Sequence, residues 1–489
     1  MALSGGAQHN VAMFRRTKIV ATLGPATDDV DVLFEMCRAG LDVARINFSH
    51  GSTDDHLRRI LLLREASVRA GRYVAILGDL SGPKIRIEGF RGGKVTLVEG
   101  RPFALDTALD PLAGNEREVG VAYKELTVDV AAGDTLLLND GLIVLEVTSV
   151  SGTRIETRVA AGGELSNRKG VNRKGGGISA PAVTDKDRSD IRFAAEQQLD
   201  YVALSFVRDA ADIHLARDLL RAAGGQGVRI VAKIERHEAV AQLSGIIEAS
   251  DVVMVARGDL GVEMGHAALT GLQKTIIHET RTRNRVVITA TQMMESMIHN
   301  PVPTRAEVSD VANAVMDGTD AVMLSAETAT GKHPVKAVAA MAEIIDGAER
   351  YQITTHRPIE RADLRFNQTE EAIAHAVMYT AHHLDVRAIV ALTESGATPQ
   401  WMSRLRTDIP IYAFTRHEAT RRRVTLYRGV YPVNFDVHDG EGKPLYDAIF
   451  AVLLDLKLVN EGDQVILTKG ELSGVQGGTN SLQILKVHR

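Results

Sequence analysis

The chain has 489 residues, of which 45% are hydrophobic and 24% are charged, and it carries a net charge of -5. This length exceeds one ordinary hydrophobic core and predicts about two to four domains. The slightly acidic balance gives no electrostatic basis for nucleic-acid binding, and no run approaches the ~18 apolar residues that span a bilayer. We therefore expect neither a nucleic-acid nor a membrane partner.

The single cysteine, Cys37, excludes an intrachain disulfide framework and fits a reducing compartment. It lies in an apolar helical pattern that is typical of a buried thiol. The N-terminal segment lacks an apolar stretch of signal-peptide length. We expect a cytoplasmic protein.

Eight short apolar runs each break off into a polar or charged residue. They are Lys18–Thr22, Val43–Asn47, Tyr73–Asp79, Tyr201–Phe206, Arg229–Glu235, Val252–Asp259, Val286–Thr291 and Ala321–Glu327. Runs rich in Val, Ile and Ala are typical of strands buried on both faces of a parallel sheet. With helical stretches between them, they predict an α/β fold with a (β/α)8 TIM barrel, whose active site gathers at the C-terminal strand ends. Those ends carry Asn47, Asp79, Lys233, Glu235, Asp259, Thr291 and Glu327.

The pattern along the chain changes twice, which predicts a barrel with two additional domains. We predict a flexible N-terminal lead-in at 1–17, a barrel at 18–82 and 182–349, an inserted all-β lid domain at 83–181, and a C-terminal α/β regulatory domain at 350–489. The insert is Gly-rich with short alternating segments, and a domain inserted at the active-site end of a barrel can act as a hinged lid. A polar stretch, Arg350–Gln368, is predicted to link the barrel to the last domain.

Two motifs at neighbouring strand ends predict a metal site. In Lys233-Ile-Glu235 the two charged residues are two apart on a strand, so they project to the same side. Asp259 follows the next strand, and Gly258 before it lets an anion approach the backbone amides. Two carboxylates suit Mg²⁺, which shares its other positions with water and a substrate phosphate, while Lys233 complements phosphoryl charge. A plain Lys233–Glu235 salt bridge is the alternative for the first motif alone.

Seven segments of the chain resemble pyruvate kinases. They are VARINFSHG (43–51), GDLSGPKIR (78–86), RKGVN (168–172), AKIERHEAV (232–240), MVARGDLGVE (254–263), ITATQMMESM (288–297) and PTRAEVSDVANAVMDGTDAVMLSAET (303–328). The resemblance covers essentially the whole chain in the right order. It implies phosphoryl transfer from phosphoenolpyruvate to ADP, giving pyruvate and ATP in the last step of glycolysis, by an allosteric homotetramer.

The resemblance also assigns roles in phosphoryl transfer. Glu235 and Asp259 hold Mg²⁺, with Mn²⁺ as a possible substitute, and a second Mg²⁺ arrives with the nucleotide. Lys233 and Arg45 contact the transferring phosphoryl group and stabilise its charge.

Further positions are implied for the remaining substrate groups. Thr291 and the backbone near Gly258 bind the substrate carboxylate, and Thr291, Ser325 and Glu327 form a candidate relay that protonates the enolate. Which of them is the immediate proton donor stays open.

Residues for nucleotide binding come from the barrel and from the lid. By resemblance they are Asn47, His50, Arg86, Lys169 and Asn172. Because Lys169 and Asn172 belong to the inserted domain, its closure would complete the nucleotide site.

Lys84 is a departure from many pyruvate kinases. Those enzymes hold potassium near the positions of Asn47, Ser49 and Asp79, with a glutamate at the position that matches 84. A lysine ammonium is a compact point charge of similar size, delivered by the chain itself. We therefore predict that potassium is not required; a solvated Lys84 with no bearing on the ion is the alternative.

A loop in the C-terminal domain predicts an effector site. Thr393, Ser395, Gly396 and Thr398 lie between a strand and a helix N-terminus, where free amides and the helix dipole favour a phosphate. In the family the matching loop binds the phosphate of an activator, and a Gly-rich segment, here Gly474–Thr479, closes over it. The effector could be a sugar monophosphate, a bisphosphate or AMP.

Two other functions are alternatives to a kinase for this sequence. A Mg²⁺-dependent barrel lyase acting on pyruvate enolates also uses a Glu/Asp pair, but it would need neither the inserted domain nor Lys169 and Asn172. A non-catalytic sugar-phosphate sensor would not need Lys233 and Thr291 to be intact.

Overall fold

The computed structural model describes residues 15–355, 366, 368–436, 443–470 and 478–489. The chain begins with three strand–helix units: β1 (Lys18–Leu23), α1 (Val30–Ala39), β2 (Val43–Asn47), α2 (Thr53–Arg69) and β3 (Ala75–Asp79). Cys37 is fully buried in α1, as its apolar surroundings predict. In the predicted lead-in, Arg16 and Thr17 are also buried. The Glu349 carboxylate accepts hydrogen bonds from the backbone amides of both, at 2.9 and 2.7 Å.

An all-β insertion follows β3. Its elements are β4 (Lys94–Leu97), β5 (Pro102–Asp106), β6 (Glu118–Gly120), α3 (Leu126–Asp129), β7 (Thr135–Leu138), β8 (Ile143–Ser151), β9 (Arg154–Ala161), β10 (Gly163–Ser166) and β11 (Val171–Arg173). They form a six-stranded sheet of order β11-β7-β8-β9-β5-β6 and a β10-β4 pair. The insertion leaves and re-enters the barrel at the carboxyl end of β3, beside the predicted active site.

The barrel then resumes and closes. The elements are α4 (Asp185–Glu196), β12 (Tyr201–Leu204), α5 (Ala210–Ala222), β13 (Arg229–Ile234), α6 (His237–Ala241), α7 (Leu243–Ala249), β14 (Val252–Ala256), α8 (Arg257–Met264), α9 (His266–Thr282), β15 (Val286–Ala290), α10 (Arg305–Asp317), β16 (Ala321–Leu324), α11 (Ala326–Ala329) and α12 (Pro334–Thr355). The closed parallel order β1-β16-β15-β14-β13-β12-β3-β2 confirms the predicted barrel, and each strand falls within or overlaps one of the eight apolar runs. Helix α12 continues to Thr355, past the start of the predicted linker.

Beyond the barrel lies a second α/β unit. Its elements are α13 (Thr369–His383), β17 (Ala388–Leu392), α14 (Ala397–Arg404), β18 (Ile411–Thr415), α15 (Glu418–Val424), β19 (Val430–Asn434), α16 (Lys443–Asp455), β20 (Gln464–Gly470) and β21 (Thr479–Lys486). The sheet order is β19-β18-β17-β20-β21, parallel except for the antiparallel β20–β21 edge. The α/β class is confirmed, whereas the domain boundaries stay predictions.

The C-terminal unit closes the amino end of the barrel. Side chains from inside the barrel, such as Val43 and Val252, share one buried cluster with Ile389 and Val424 of the C-terminal unit. The buried Tyr201 hydroxyl donates to the Arg423 carbonyl at 2.7 Å across this junction. The carboxyl ends of the barrel strands therefore remain open toward the inserted domain. No helix in the described ranges is long and apolar enough to cross a membrane.

Candidate active site

Strands β2 and β3 bring a guanidinium and a carboxylate together at the barrel mouth. Asn47 pairs with Asp79 in register. Because side chains two apart on a strand point to the same side, Arg45 projects on the same side of β2 as Asn47. Arg45 Nε donates to Asp79 Oδ2 at 2.6 Å and Nη1 donates to Thr22 Oγ1 at 2.9 Å. Asp79 is buried. Burial would raise the pKa of its carboxyl, but Lys233 and Arg45 outweigh that effect and lower it.

Lys233 is held in place by three oxygen atoms. Its Nζ donates to Ser205 Oγ at 2.7 Å and forms ion pairs with Glu235 Oε1 at 2.9 Å and Asp79 Oδ1 at 3.3 Å. Burial lowers the pKa of Lys233, but the two carboxylates outweigh burial and raise it. The ammonium is therefore charged and fixed before any substrate arrives.

Glu235 is buried beside Lys233. Its Oε2 accepts the Phe206 amide at 2.7 Å, and burial together with the nearby Asp259 carboxylate raises the pKa of Glu235 against the opposing effect of Lys233. A cation bound between these two carboxylates would relieve their repulsion.

Asp259 does not lie on a strand, contrary to the predicted run. Strand β14 ends at Ala256 and helix α8 begins at Arg257, so Gly258 and Asp259 lie in the first helical turn. The Asp259 carboxylate accepts Lys84 Nζ at 3.0 Å. From this helix start the Asp259 carboxylate is close enough to raise the pKa of Glu235.

Lys84 makes an ion pair that its sequence motif does not predict. Its ion pair is with Asp259, whereas Asp79 is engaged by Arg45 and Lys233. The Lys84 side chain also passes under the lid, because a Cβ added to Gly170 would approach Lys84 Cε to 3.2 Å. The lysine therefore links Asp259, the predicted metal ligand, to the insertion at Gly170, and its predicted place near Asn47, Ser49 and Asp79 stays a prediction.

The oxygen donors present fit a divalent ion held mainly by substrate and water. Lysine ammonium groups contact both carboxylates, Lys233 on Glu235 and Lys84 on Asp259. Among the described residues no group of three or more His, Cys, Asp or Glu side chains could hold a metal. One or two carboxylates, with the remaining positions left to water and substrate phosphate, are typical of Mg²⁺ at phosphoryl-transfer sites.

A strained turn after β15 carries Thr291. Thr291 and Gln292 have φ of 67° and 53°, in the left-handed region that β-branched residues rarely adopt. Arg257 stabilises this turn: Nη2 donates to the carbonyls of Thr291 at 2.8 Å and Gln292 at 3.0 Å, and Nη1 pairs with Asp310 at 2.8 Å. The Gly258 amide donates to Thr291 Oγ1 at 2.8 Å, so a substrate carboxylate at this amide would replace the threonine hydroxyl.

The loop after β16 positions Ser325. The Ser325 amide donates to Glu327 Oε2 at 2.6 Å, and Glu327 Oε1 accepts the Met294 amide at 3.2 Å. Ser325 Oγ is buried and has no hydrogen-bond partner. Glu327 therefore fixes the backbone, whereas the buried serine hydroxyl keeps its hydrogen-bonding capacity unused.

The predicted nucleotide residues divide into two groups. His50 reaches solvent just after the end of β2, and its partial burial, together with the nearby Arg86 and Arg45 cations, lowers its pKa. Arg86 donates to the Arg168 carbonyl at 2.9 Å in the lid, beside Lys169. Asn47 stabilises its own loop, because its Oδ1 accepts the Ser49 amide at 3.1 Å.

Asn172 belongs to a contact between lid and barrel instead. It is buried, and its Nδ2 lies 3.4 Å from Glu263 Oε1 on α8. Glu263 Oε2 accepts the His237 amide at 2.9 Å, and burial raises the pKa of Glu263 to about 7. The prediction of Asn172 as a nucleotide ligand finds no support in this position.

The predicted effector loop joins β17 to α14. The Gly396 amide donates to Thr393 Oγ1 at 2.9 Å, and Thr398 Oγ1 lies 2.6 Å from Thr479 Oγ1. Ser395 lines a cavity of about 130 Å³ between this loop and the barrel. In the predicted covering segment, residues 474–477 lie outside the described residues.

Sequence reasoning missed three residues of this mouth. Ser205, which contacts Lys233, lies inside the run Tyr201–Phe206, and Arg257, which supports the Thr291 turn, lies inside MVARGDLGVE, but neither was given a role. Glu263 closes the MVARGDLGVE segment, but its contact with the lid depends on tertiary structure.

The family model for the pyruvate kinase barrel domain matches residues 14–338, and the model for the pyruvate kinase alpha/beta domain matches residues 371–485. Pyruvate kinase II of Salmonella typhimurium is 52% identical over 480 residues, covering 97% of this chain and 99% of that protein. The Haemophilus influenzae pyruvate kinase is 49% identical, covering 94% and 97%, and the Geobacillus stearothermophilus pyruvate kinase is 45% identical, covering 97% and 80%. The chain therefore belongs to the pyruvate kinase family of phosphotransferases.

Proposed function

We propose that the chain transfers the phosphoryl group of phosphoenolpyruvate to ADP, using Mg²⁺ held by Glu235 and Asp259. The observation that carries this is the fixed Lys233 ammonium, 2.9 Å from Glu235 and next to the Glu235–Asp259 pair. When bound, the ion polarises substrate oxygens as a Lewis acid. No observation favours the lyase or the sensor.

Charge complementarity is supplied by side chains already in place. Arg45 and Lys233 are oriented by the same Asp79 carboxylate, at 2.6 and 3.3 Å. Preorganised cations stabilise developing negative charge without reorganising during the reaction. Both therefore complement the phosphoryl group as its bond to the enol oxygen breaks.

We assign protonation of the enolate to Thr291 and Ser325. Thr291 is held by Arg257 and Gly258, and Ser325 presents a buried hydroxyl without a partner. A water on Ser325 Oγ would complete a relay toward the substrate methylene carbon.

The nucleotide binds on the basic rim formed by His50, Arg86 and Lys169, with Asn47 shaping the adjacent loop. We assign Asn172 to lid docking on Glu263 rather than to direct nucleotide contact.

We also propose that the chain does not require potassium. The Lys84 ammonium is 3.0 Å from Asp259 and reaches the mouth from the lid hinge. Binding of Mg²⁺ at Asp259 competes with that ion pair, and the displaced ammonium supplies the monovalent positive charge near the substrate. A potassium ion beside it would add repulsion.

A potassium titration tests this assignment. Pyruvate formation is measured in tetramethylammonium buffer with Mg²⁺, for the unmodified chain and for Lys84→Glu, with potassium added stepwise. We expect the unmodified chain to respond less than twofold and the variant to need potassium. Strong activation of the unmodified chain would refute the role of Lys84 without removing the kinase assignment.

We further propose activation by a phosphorylated metabolite at the Thr393–Thr398 loop, in a homotetramer. The support is the left-handed Gly396 (φ 84°) immediately before α14, which places the loop at a helix N-terminus, where the helix dipole favours an anion. Phosphoenolpyruvate saturation curves with sugar phosphates and AMP, repeated on Thr398→Val, test the loop. Light scattering tests the assembly.

A further inference from the structure

An unbalanced group of arginines lies where the barrel meets the C-terminal unit. The arginine cluster consists of Arg281 near the end of α9, Arg406 after α14, and Arg428 before β19. Arg281 and Arg406 are partly buried, so solvent reaches them, and Arg428 is 6% exposed.

Two of these guanidinium groups converge on Gly318. A methyl group built on this glycine would contact both Arg406 Nη2 and Arg281 Nη1. Gly318 has a φ of 96° and ends α10, so the close approach is a feature of a fixed helix terminus. Like charges this close repel each other unless an anion lies between them.

The neighbouring carboxylates are already used by other cations. Asp320 makes two hydrogen bonds to Arg404, Asp317 pairs with Lys274, and Glu349 and Asp408 pair with Arg16. Six cationic side chains thus face four carboxylates in this part of the described structure, an excess of two positive charges.

The guanidinium groups of the arginine cluster have few hydrogen-bond and ion-pair partners among the described residues. Within the described residues the Arg281 guanidinium makes neither a hydrogen bond nor an ion pair, and the Arg406 guanidinium makes one bond, to the Asp317 carbonyl at 3.2 Å. The ion pair of Arg428 with Glu349 is long, at 3.8 Å, and Nε of Arg406 and Arg428 are buried without partners. Burial and the neighbouring arginines lower the pKa of Arg281 to about 9 and that of Arg406 to about 10.

We infer that the arginine cluster binds a phosphate dianion, either inorganic phosphate or the phosphate group of a small monoester. Guanidinium forks match phosphate oxygens in bidentate geometry, and a dianion neutralises the excess of two charges. The site differs from the Thr393–Thr398 loop, because the two lie at opposite ends of α14. Since it joins α9, α10 and the C-terminal unit, its occupancy would tighten the junction between barrel and C-terminal unit. This inference does not depend on the proposed activator.

Thermal unfolding of the full chain tests the site. The melting temperature is followed in inorganic phosphate, in glycerol 3-phosphate, and in sodium chloride of equal ionic strength. We expect a saturable rise of about 2 °C or more over chloride for at least one phosphate compound. The two compounds distinguish a free phosphate from a monoester.

Variants separate this site from the active site, which also binds phosphate groups. R281Q/R406Q should lose the rise, and should melt no lower than the unmodified chain in chloride because the mutual repulsion is removed. R281Q alone should raise the half-saturating phosphate concentration at least about fivefold. The matched control R283Q changes an arginine on the same helix end that is already paired with Glu279, and it should keep the response.

Two results would overturn the inference. One is a rise in the unmodified chain no larger than in chloride. The other is a phosphate response that R281Q and R281Q/R406Q retain unchanged, since that response would then come from another site.

Discussion

Replacing Arg257 by methionine should remove the support of the Thr291 turn. The guanidinium makes three hydrogen bonds to carbonyls, to Thr291 at 3.1 and 2.8 Å and to Gln292 at 3.0 Å. Charge-assisted bonds contribute about 1.5–3 kcal/mol each, and a left-handed backbone costs about 1–2 kcal/mol per residue. The free energy that the three hydrogen bonds contribute exceeds the free energy that the two left-handed residues cost. Without Arg257 nothing offsets that cost, so the backbone of the turn should relax.

The expected consequence is a loss of catalytic rate rather than of folding alone. A displacement of about 1 Å in a reacting group costs about 10²-fold. We expect R257M to lower kcat about 10²-fold, with a smaller change in KM for phosphoenolpyruvate. The assay is steady-state pyruvate formation with Mg²⁺, with the melting temperature measured in parallel.

Asp310→Asn is the matched control. It removes the ion pair of Arg257 with α10, at 2.8 Å, and leaves the bonds to the turn. It should lower kcat less than about fivefold. The reasoning is refuted if folded R257M keeps more than half of kcat, or if D310N loses as much as R257M.

Three further predictions follow from buried polar groups. The pKa of Glu263 is raised to about 7, so the folded state binds more protons than the unfolded chain between pH 4.5 and 7. The free energy of unfolding should therefore fall by on the order of 3 kcal/mol as the pH rises through that range. Glu263→Gln should flatten the melting temperature between pH 5 and 7; an unchanged slope would exclude this carboxyl. Ser325→Ala should leave the melting temperature within about 1 °C, because the hydroxyl has no partner, and lower kcat about 10- to 100-fold; full activity would exclude the hydroxyl from the relay. Arg404→Met strands the buried Asp320 carboxylate and should cost about 3–5 kcal/mol, read as a lower melting temperature; no loss would show that the ion pair is not needed.

The barrel could be predicted because its strands are apolar on both faces. Val252–Ala256, for example, contains only apolar residues, which is typical of a central strand, and all five are buried. Strands β19 and β21 were not predicted. Strand β19 contains Pro432, which only an edge strand tolerates, and β21 carries mixed polar residues because it too is an edge.

The site was predictable as a set of residues but not as a set of contacts. Lys233 and Glu235 could be placed together because alternation on a strand fixes their direction. Asp259 was placed at a strand end, although its strand stops three residues earlier and a helix begins. The Lys84–Asp259 pair joins residues far apart in sequence, and no local pattern encodes such a contact.

The central claim is that Glu235 and Asp259 form a Mg²⁺-dependent phosphoryl-transfer site. The most direct measurement is pyruvate formation from phosphoenolpyruvate and ADP, with Mg²⁺ removed by chelation and restored, for the unmodified chain and Glu235→Gln. Glutamine keeps the shape and the bond to the Phe206 amide but loses the charge. We predict turnover only with Mg²⁺ and a loss of at least about 10³-fold in the variant. Turnover that survives chelation, or a Glu235→Gln variant as active as the unmodified chain, would contradict the claim.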